Sequence, residues 1–210
     1  MAKQSLKYIL VGFGTLMALN YFFLVAVNLF RGFPLISFSP THPNFYDGLP
    51  TVNFSFFKKG GTGWNFITQG YGRTPFMNEY PGDWHDGIDI AAAYGAPVYS
   101  AGVGTVIATG NQDNFCWHRA FGKYVAVKDA TSAHVLWYAH LGNINVSQGQ
   151  TITTTTLIGT IGNTGLETGP HLHFSVFDAS GFSMTVRNGC GPAPTGQDID
   201  PIPYLQNSQR

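Results

Sequence analysis

Charge is scarce in this 210-residue chain: Asp, Glu, Lys and Arg together make up 10%, against about 25% in an average globular protein. The 11 basic and 11 acidic residues cancel, leaving no global field to hold a polyanion, which argues against nucleic acid as a partner. Cysteine is confined to Cys116 and Cys190, neither part of a C-x-x-C pair, so a cysteine-based zinc site is not expected. Sustained amphipathic helical patterns and repeats of 20–50 residues are missing, which sets aside helical bundles and solenoids. What the chain does have is 26 Gly, 12 Pro and an ordinary 44% of hydrophobic residues. That combination predicts many short strands joined by turns, a mainly β domain whose polar surface comes from Ser, Thr, Asn and Gly.

One long uncharged run stands apart. Tyr8 to Phe30 carries no charge over 23 residues. As a helix it would span about 34 Å, enough to cross a hydrocarbon core of about 30 Å. The run is longer and bulkier than the apolar region of a cleaved signal peptide. Lys3, Lys7 and the α-amino group outweigh Arg31 on the other side, so the positive-inside rule puts the N-terminus in the cytoplasm and the remainder outside. The expected organisation is a cytoplasmic tip and transmembrane anchor over 1–31, a Pro-rich linker over 32–50, and one domain over 51–210. The location is then the cytoplasmic membrane, single-pass, with the domain periplasmic or extracellular.

Within that domain, runs such as Val52–Phe57, Pro97–Tyr99, Gly104–Ala108, Tyr124–Lys128 and His134–Ala139 alternate with Gly, Asn and Asp clusters, the pattern of an antiparallel sheet. The β-branched run Thr153–Thr156 suits a strand or strand edge better than a helix. Outside the cytoplasm an oxidising compartment would permit a Cys116–Cys190 bridge, with two unrelated thiols as the alternative.

Four of the seven histidines keep unusual company: His85 in W-H-D-G-I-D-I, His140 in Y-A-H-L, and His171 with His173 in G-P-H-L-H-F. Residues an even number apart on a strand share a face, so His85 with Asp89, and His171 with His173, can converge. Gly87 leaves room between the first pair for an ion or for close backbone approach. Imidazole nitrogens and a carboxylate are suitable zinc ligands, and three of them leave the fourth tetrahedral position open for water.

These segments resemble the lysostaphin-type, or LytM-type, zinc metallopeptidases, which cut peptide bonds of bacterial peptidoglycan. The similarity runs from about Ile67 to Leu205. It covers I-T-Q-G-Y-G-R at Ile67–Arg73, H-D-G-I-D-I-A-A-A-Y-G-A-P-V-Y-S at His85–Ser100 and G-K-Y-V-A-V-K at Gly122–Lys128. It continues through W-Y-A-H-L at Trp137–Leu141, L-I-G-T-I-G-N-T-G-L-E-T-G-P-H-L-H-F at Leu157–Phe174, and D-P-I-P-Y-L at Asp200–Leu205. The resemblance implies a mainly β, antiparallel two-sheet fold with the site in an open groove. It implies Zn2+ bound by His85, Asp89 and His173, with His140 and His171 handling the proton and the oxyanion. Peptidoglycan peptides would be the substrate and the cytoplasmic membrane the second contact.

Two departures bear on substrate preference. Arg73 is followed by Thr74, Pro75 and Phe76, where a His-Pro pair is frequent in the family, and Thr153–Thr156 replaces the lysines or glycines often found there. Asn111–Phe121, holding Cys116, Trp117 and His118, reads as an inserted loop able to line the groove. His118 reads as a surface histidine, Glu167 as a structural or substrate-contact residue, and Asp86 as solvent-facing or a hydrogen-bond acceptor for a metal-bound histidine. Trp84 and Tyr138 flank the motifs and could shape the groove, but read first as core residues. Two alternatives to an enzyme are a non-catalytic wall-binding or hydrolase-regulating domain and a structural part of an envelope-spanning assembly, whose partners the sequence does not name.

Overall fold

The alternating segments fold as short strands because β-branched and aromatic residues fit a pleated, half-buried surface while the glycines and prolines between them break the run. The computed structural model describes residues 66–75, 81–186 and 189–207. The strands in chain order are β1 (Phe66–Gln69), β2 (Ile88–Ala91), β3 (Pro97–Tyr99), β4 (Gly104–Asn111), β5 (Lys123–Asp129) and β6 (His134–Ile144). They are followed by β7 (Thr151–Ile152), β8 (Leu157–Ile161), β9 (His171–Asp178), β10 (Ser183–Val186), β11 (Pro192–Thr195) and β12 (Asp198–Ile199), and the helix α1 covers Pro201–Asn207.

All described pairings are antiparallel, as expected, with the main sheet ordered β1-β2-β9-β6-β5-β4-β7. The β3–β8 ribbon branches from β6, β12 extends β9, and β10–β11 form a separate two-stranded ribbon. The expected strand Val52–Phe57, the membrane segment Tyr8–Phe30 and the 32–50 linker lie outside the described residues. No helix among the described residues is long and apolar enough to cross a membrane.

The central strands have two different faces. Ile88 and Ile90 of β2, Leu172, Phe174 and Val176 of β9, and Leu136 and Tyr138 of β6 pack into one fully buried core with Val98, Ile158, Ile161 and Leu205. Full burial of each aliphatic or aromatic side chain contributes about 1.5–3 kcal/mol. On the opposite face, Trp137, Ala139 and Phe177 join Tyr124, Ala126 and Val135 in a smaller cluster. Asp89, His171 and His173 alternate with the core residues and share this second face, beside the smaller cluster. Period-2 alternation thereby puts the polar site on the back of the main core.

Thr153–Thr156 forms the turn between β7 and β8, not a strand. Its hydroxyls explain the departure from β-branched preference. Thr153 N–H donates to Thr156 Oγ1 (3.0 Å), Thr156 N–H donates to Thr153 O (2.9 Å), and Thr153 and Thr155 hydroxyls bond each other (2.9 Å). Tyr138 is buried as expected, its hydroxyl accepting from Ala101 N–H at 2.9 Å.

α1 is tied to the sheet by a polar contact at the end of β5. Tyr204 O–H donates to Asp129 Oδ2, and Ser132 Oγ–H donates to the same oxygen at 3.0 Å. Burial alone would raise the Asp129 carboxyl, but the hydrogen bonds from Tyr204, Thr131 and Ser132 hold it below the usual range. A carboxyl depressed in the folded state stabilises above its unfolded value of about 3.9, and that stability is lost as pH falls through the folded value. Tyr204→Phe should therefore cost roughly 1 kcal/mol at pH 7. The difference from the parent should shrink below about pH 4, as urea unfolding at pH 7 and pH 3 will show.

Candidate metal and catalytic site

Three donor atoms meet where β2 and β9 pair. Asp89 stands directly across from His173 in the ladder, and His85 enters from the bend before β2, bridged to Gly72 by backbone hydrogen bonds of 2.8 and 3.0 Å. The distances are 3.0 Å from His173 Nδ1 to Asp89 Oδ1, 3.1 Å from His85 Nε2 to His173 Nδ1, and 3.3 Å from His85 Nε2 to Asp89 Oδ1. All three residues are buried. A tetrahedral ion with bonds of about 2.0–2.2 Å needs its donors separated by about 3.3–3.6 Å, so this triangle needs to open only slightly to take one. The set of two imidazoles and one carboxylate suits zinc chemically.

Outer contacts fix which nitrogen faces the cluster. His85 Nδ1–H donates to Gly70 O at 2.6 Å, leaving Nε2 to point inward. His173 Nε2 is engaged by Ser175 Oγ at 2.7 Å and lies 3.2 Å from Asp86 Oδ1, leaving Nδ1 inward. Asp86 is thus an acceptor on a cluster histidine, the second of the two readings its position allowed. Burial opposes charge on His173, yet hydrogen bonds to Asp86 and Asp89 and their negative charge push it up to about 10. Burial likewise opposes ionisation of Asp89, but bonds from His173 and His85 and their charge hold it far below the carboxylate range. Asp86 and Asp89 thus place negative charge at both nitrogens of the His173 ring.

Gly87 is required by close approach. A Cβ there would fall 2.5 Å from Phe174 O and 2.6 Å from Ser175 Oγ, so any side chain would push β9 away and separate His173 from Asp89.

His140 reaches the same face by a different route. Val125 pairs with Tyr138 and Lys123 pairs with Leu141, so Ala139 and His140 together stand opposite Tyr124, a β-bulge in β6. Strict alternation would send His140 into the core with Tyr138; the bulge re-aims it. Its φ is +58°, its ring centroid lies 4.8 Å from that of His171 and 5.9 Å from that of His173, and Nδ1–H donates to Thr164 O at 2.6 Å. Burial and the charges of His171 and His173 push His140 down to about 3, against the opposing effect of the Thr164 bond. It is therefore neutral near pH 7, with a free Nε2 lone pair. His171, half-buried, donates Nδ1–H to Gly169 O at 2.8 Å, and its Nε2 stands 3.6 Å from Asp89 Oδ1.

All five histidine and aspartate positions singled out in the sequence thus converge. Cys116 and Cys190 are joined. Two other expectations need correction. His118 is no plain surface histidine: at φ +51° it donates Nδ1–H to Gly165 O at 2.8 Å. Trp84 is 41% exposed, because it sits in the irregular stretch before β2, edge-on to Tyr71 with its indole N–H on Asp198. Glu167 Oε2 is buried and without a hydrogen-bond partner among the described residues. Sequence reasoning missed Phe121, whose ring lies 5.4 Å from that of His173, and Ser175, which one more even step along β9 after His173 would have found. It also missed the carbonyls of Gly70 and Thr164, for which side-chain identity carries no signal.

Residues 83–185 match the profile of peptidase family M23. The matched segment, which holds all five site positions, is of this family. The chain is 39% identical over 92 residues to peptidoglycan DD-endopeptidase ShyA of Vibrio cholerae, covering 44% of this chain and 20% of that protein. It is 28% identical over 145 residues to lysostaphin of Staphylococcus simulans, covering 69% of this chain and 26% of lysostaphin. The solved catalytic domain of that lysostaphin superimposes with a TM-score of 0.53 at 27% identity, over 68% of this chain and 92% of the domain. The chain accordingly spans about a fifth and about a quarter of the two relatives, and the shared part is the antiparallel sheet that carries the site.

Metal loading should follow the triangle. Zinc added to metal-free protein at pH 7 should bind at about one ion per chain, and Asp89→Ala or His173→Ala should remove most of that binding, as emission spectroscopy of dialysed protein will report.

Proposed function

We propose that this protein is a membrane-anchored zinc endopeptidase that cuts the peptide cross-links of bacterial peptidoglycan. The observation that carries the reading is the buried triangle of His85 Nε2, Asp89 Oδ1 and His173 Nδ1, with His140 and His171 on the same face. Membership of M23 and the similarity to a DD-endopeptidase and to lysostaphin support peptidoglycan as the substrate. The anchor and the outward orientation rest on Tyr8–Phe30, Lys3 and Lys7.

His85, Asp89 and His173 would hold the ion. The chemistry a bound zinc supplies is Lewis acidity toward a carbonyl oxygen and a lowered pKa for water. His140 is assigned the proton of the attacking water: its Nδ1–H is committed to Thr164 O, so its free Nε2 is an acceptor in the neutral form. His171, less deeply buried and held through Nδ1 by Gly169 O, is assigned the donor role toward the tetrahedral oxyanion or the leaving amine. Gly70, Ser175 and Asp86 keep the two ligand rings turned so that a lone pair of each faces the ion.

Incubating the full chain with purified peptidoglycan should release new amine ends, identified by mass spectrometry. His140→Ala should keep zinc and lose hydrolysis by about 10²–10⁴-fold, whereas His173→Ala should lose both. A parent that binds wall and zinc yet releases no amine ends from any wall type would replace this reading with a wall-binding or structural one. The orientation has its own check. Reporters fused after Pro50 should be active only when the reporter needs export, and activity of a cytoplasmic reporter would reverse it.

A further inference from the structure

The segment between β4 and β5 is held at several points to the backbone around His140. Its first residues form a short helical turn in which Gln112 is 1% exposed. Gln112 Nε2–H donates to Pro192 O at 2.7 Å, and its Oε1 accepts from Phe121 N–H at 2.8 Å. Phe121 O in turn accepts from His140 N–H at 3.0 Å. The Cys116–Cys190 bridge joins the same two elements that Gln112 joins, since Cys116 N–H donates to Gln112 O and Cys190 lies two residues before Pro192.

A second line of contacts reaches the other side of the imidazole. Asp113 Oδ1 accepts from His118 N–H and Asp113 Oδ2 from Gly165 N–H, each at 3.1 Å. His118 Nδ1–H donates to Gly165 O at 2.8 Å, and Leu166 N–H donates to Ala120 O at 2.6 Å. Gly165 has φ +77°, and a Cβ on it would fall 2.1 Å from Ala120 O, so the two loops touch backbone to backbone. These bonds fix the turn at Thr164, whose carbonyl accepts the His140 Nδ1 proton. His140 is thus gripped at its backbone N–H through Gln112 and Phe121, and at its ring through Asp113, Gly165 and Thr164.

We infer that the segment Asn111–Phe121, tied through Cys116 to Cys190, is a brace for His140, with Gln112 and Asp113 as positioning residues that hold its ring in the tautomer presenting Nε2. The inference rests on the proton-accepting role given to His140 above. A non-glycine residue at positive φ on a bulge does not stay there unless its surroundings over-determine it, and the brace is what does so. Neither Gln112 nor Asp113 touches the metal triangle, so their removal acts on turnover through His140 and not on the ion.

The test uses the full, zinc-loaded chain with three changes: Asp113→Ala, Asp113→Asn, and Cys116→Ser combined with Cys190→Ser. The readouts are kcat, KM, bound zinc, and the proton resonance of His140 Nδ1–H. In Asp113→Ala and the double serine variant, kcat should fall about 10–100-fold with KM and zinc unchanged, and the Nδ1–H resonance should lose its protection from solvent exchange. Asp113→Asn keeps one acceptor oxygen and should fall between them and the parent. If folded variants keep both kcat and a protected resonance, the segment is a stabilising clamp only and the inference fails. Should the double serine variant not fold, the two Asp113 variants decide. The resonance does not depend on hydrolysis. A parent without hydrolytic activity whose variants still lose the protected proton would overturn the peptidase reading and keep the brace. An active parent whose variants keep it would do the reverse.

Discussion

One extra residue in β6 governs the site. Because Ala139 and His140 together oppose Tyr124, the side-chain alternation of β6 is reset at that point, with Tyr138 and Leu141 in the core and His140 turned to the opposite face beside His171 and His173. A left-handed backbone at a histidine costs about 1–2 kcal/mol. Hydrogen bonds from His140 to Phe121 O and Thr164 O offset that cost, and both acceptors belong to loops fixed elsewhere in the sheet. The two loops thereby help to hold one unfavourable dihedral.

The metal triangle follows a simpler rule. Asp89 and His173 are cross-strand partners, and cross-strand neighbours on one face of an antiparallel pair lie close without any special backbone. Asp86 and Asp89 both face His173, and their negative charge favours the cationic form of its ring against the opposing effect of burial. A cation entering this pocket finds its negative partners in place.

How far the sequence alone could reach is set by this contrast. Even spacing on strands paired His171 with His173, and His85 with Asp89, because period 2 is a backbone property that every strand obeys; that the two pairs share one site came from the resemblance. His140 could not be placed that way, since alternation sends it into the core; the resemblance of Y-A-H-L to a known motif placed it instead. Thr153–Thr156 misled for a related reason: β-branching favours strands on average, but the hydroxyls of threonine can close a turn on their own backbone, and in this loop they do. Gly70 and Thr164 act through carbonyl oxygens, which every residue type possesses, so no pattern of side chains announces them.

The bulge also determines what would be needed to move this site to another scaffold. Grafting His85, Asp89, His140, His171 and His173 onto a regular antiparallel sheet would transfer four of the five groups, because their directions come from ordinary pleating and one short bend. The fifth would point into the host's interior, burying a polar ring among aliphatic side chains. A designer would have to copy an insertion in one strand together with the two loops that hold it. The transferable unit is a stretch of backbone with its supports, and a list of five residues does not describe it.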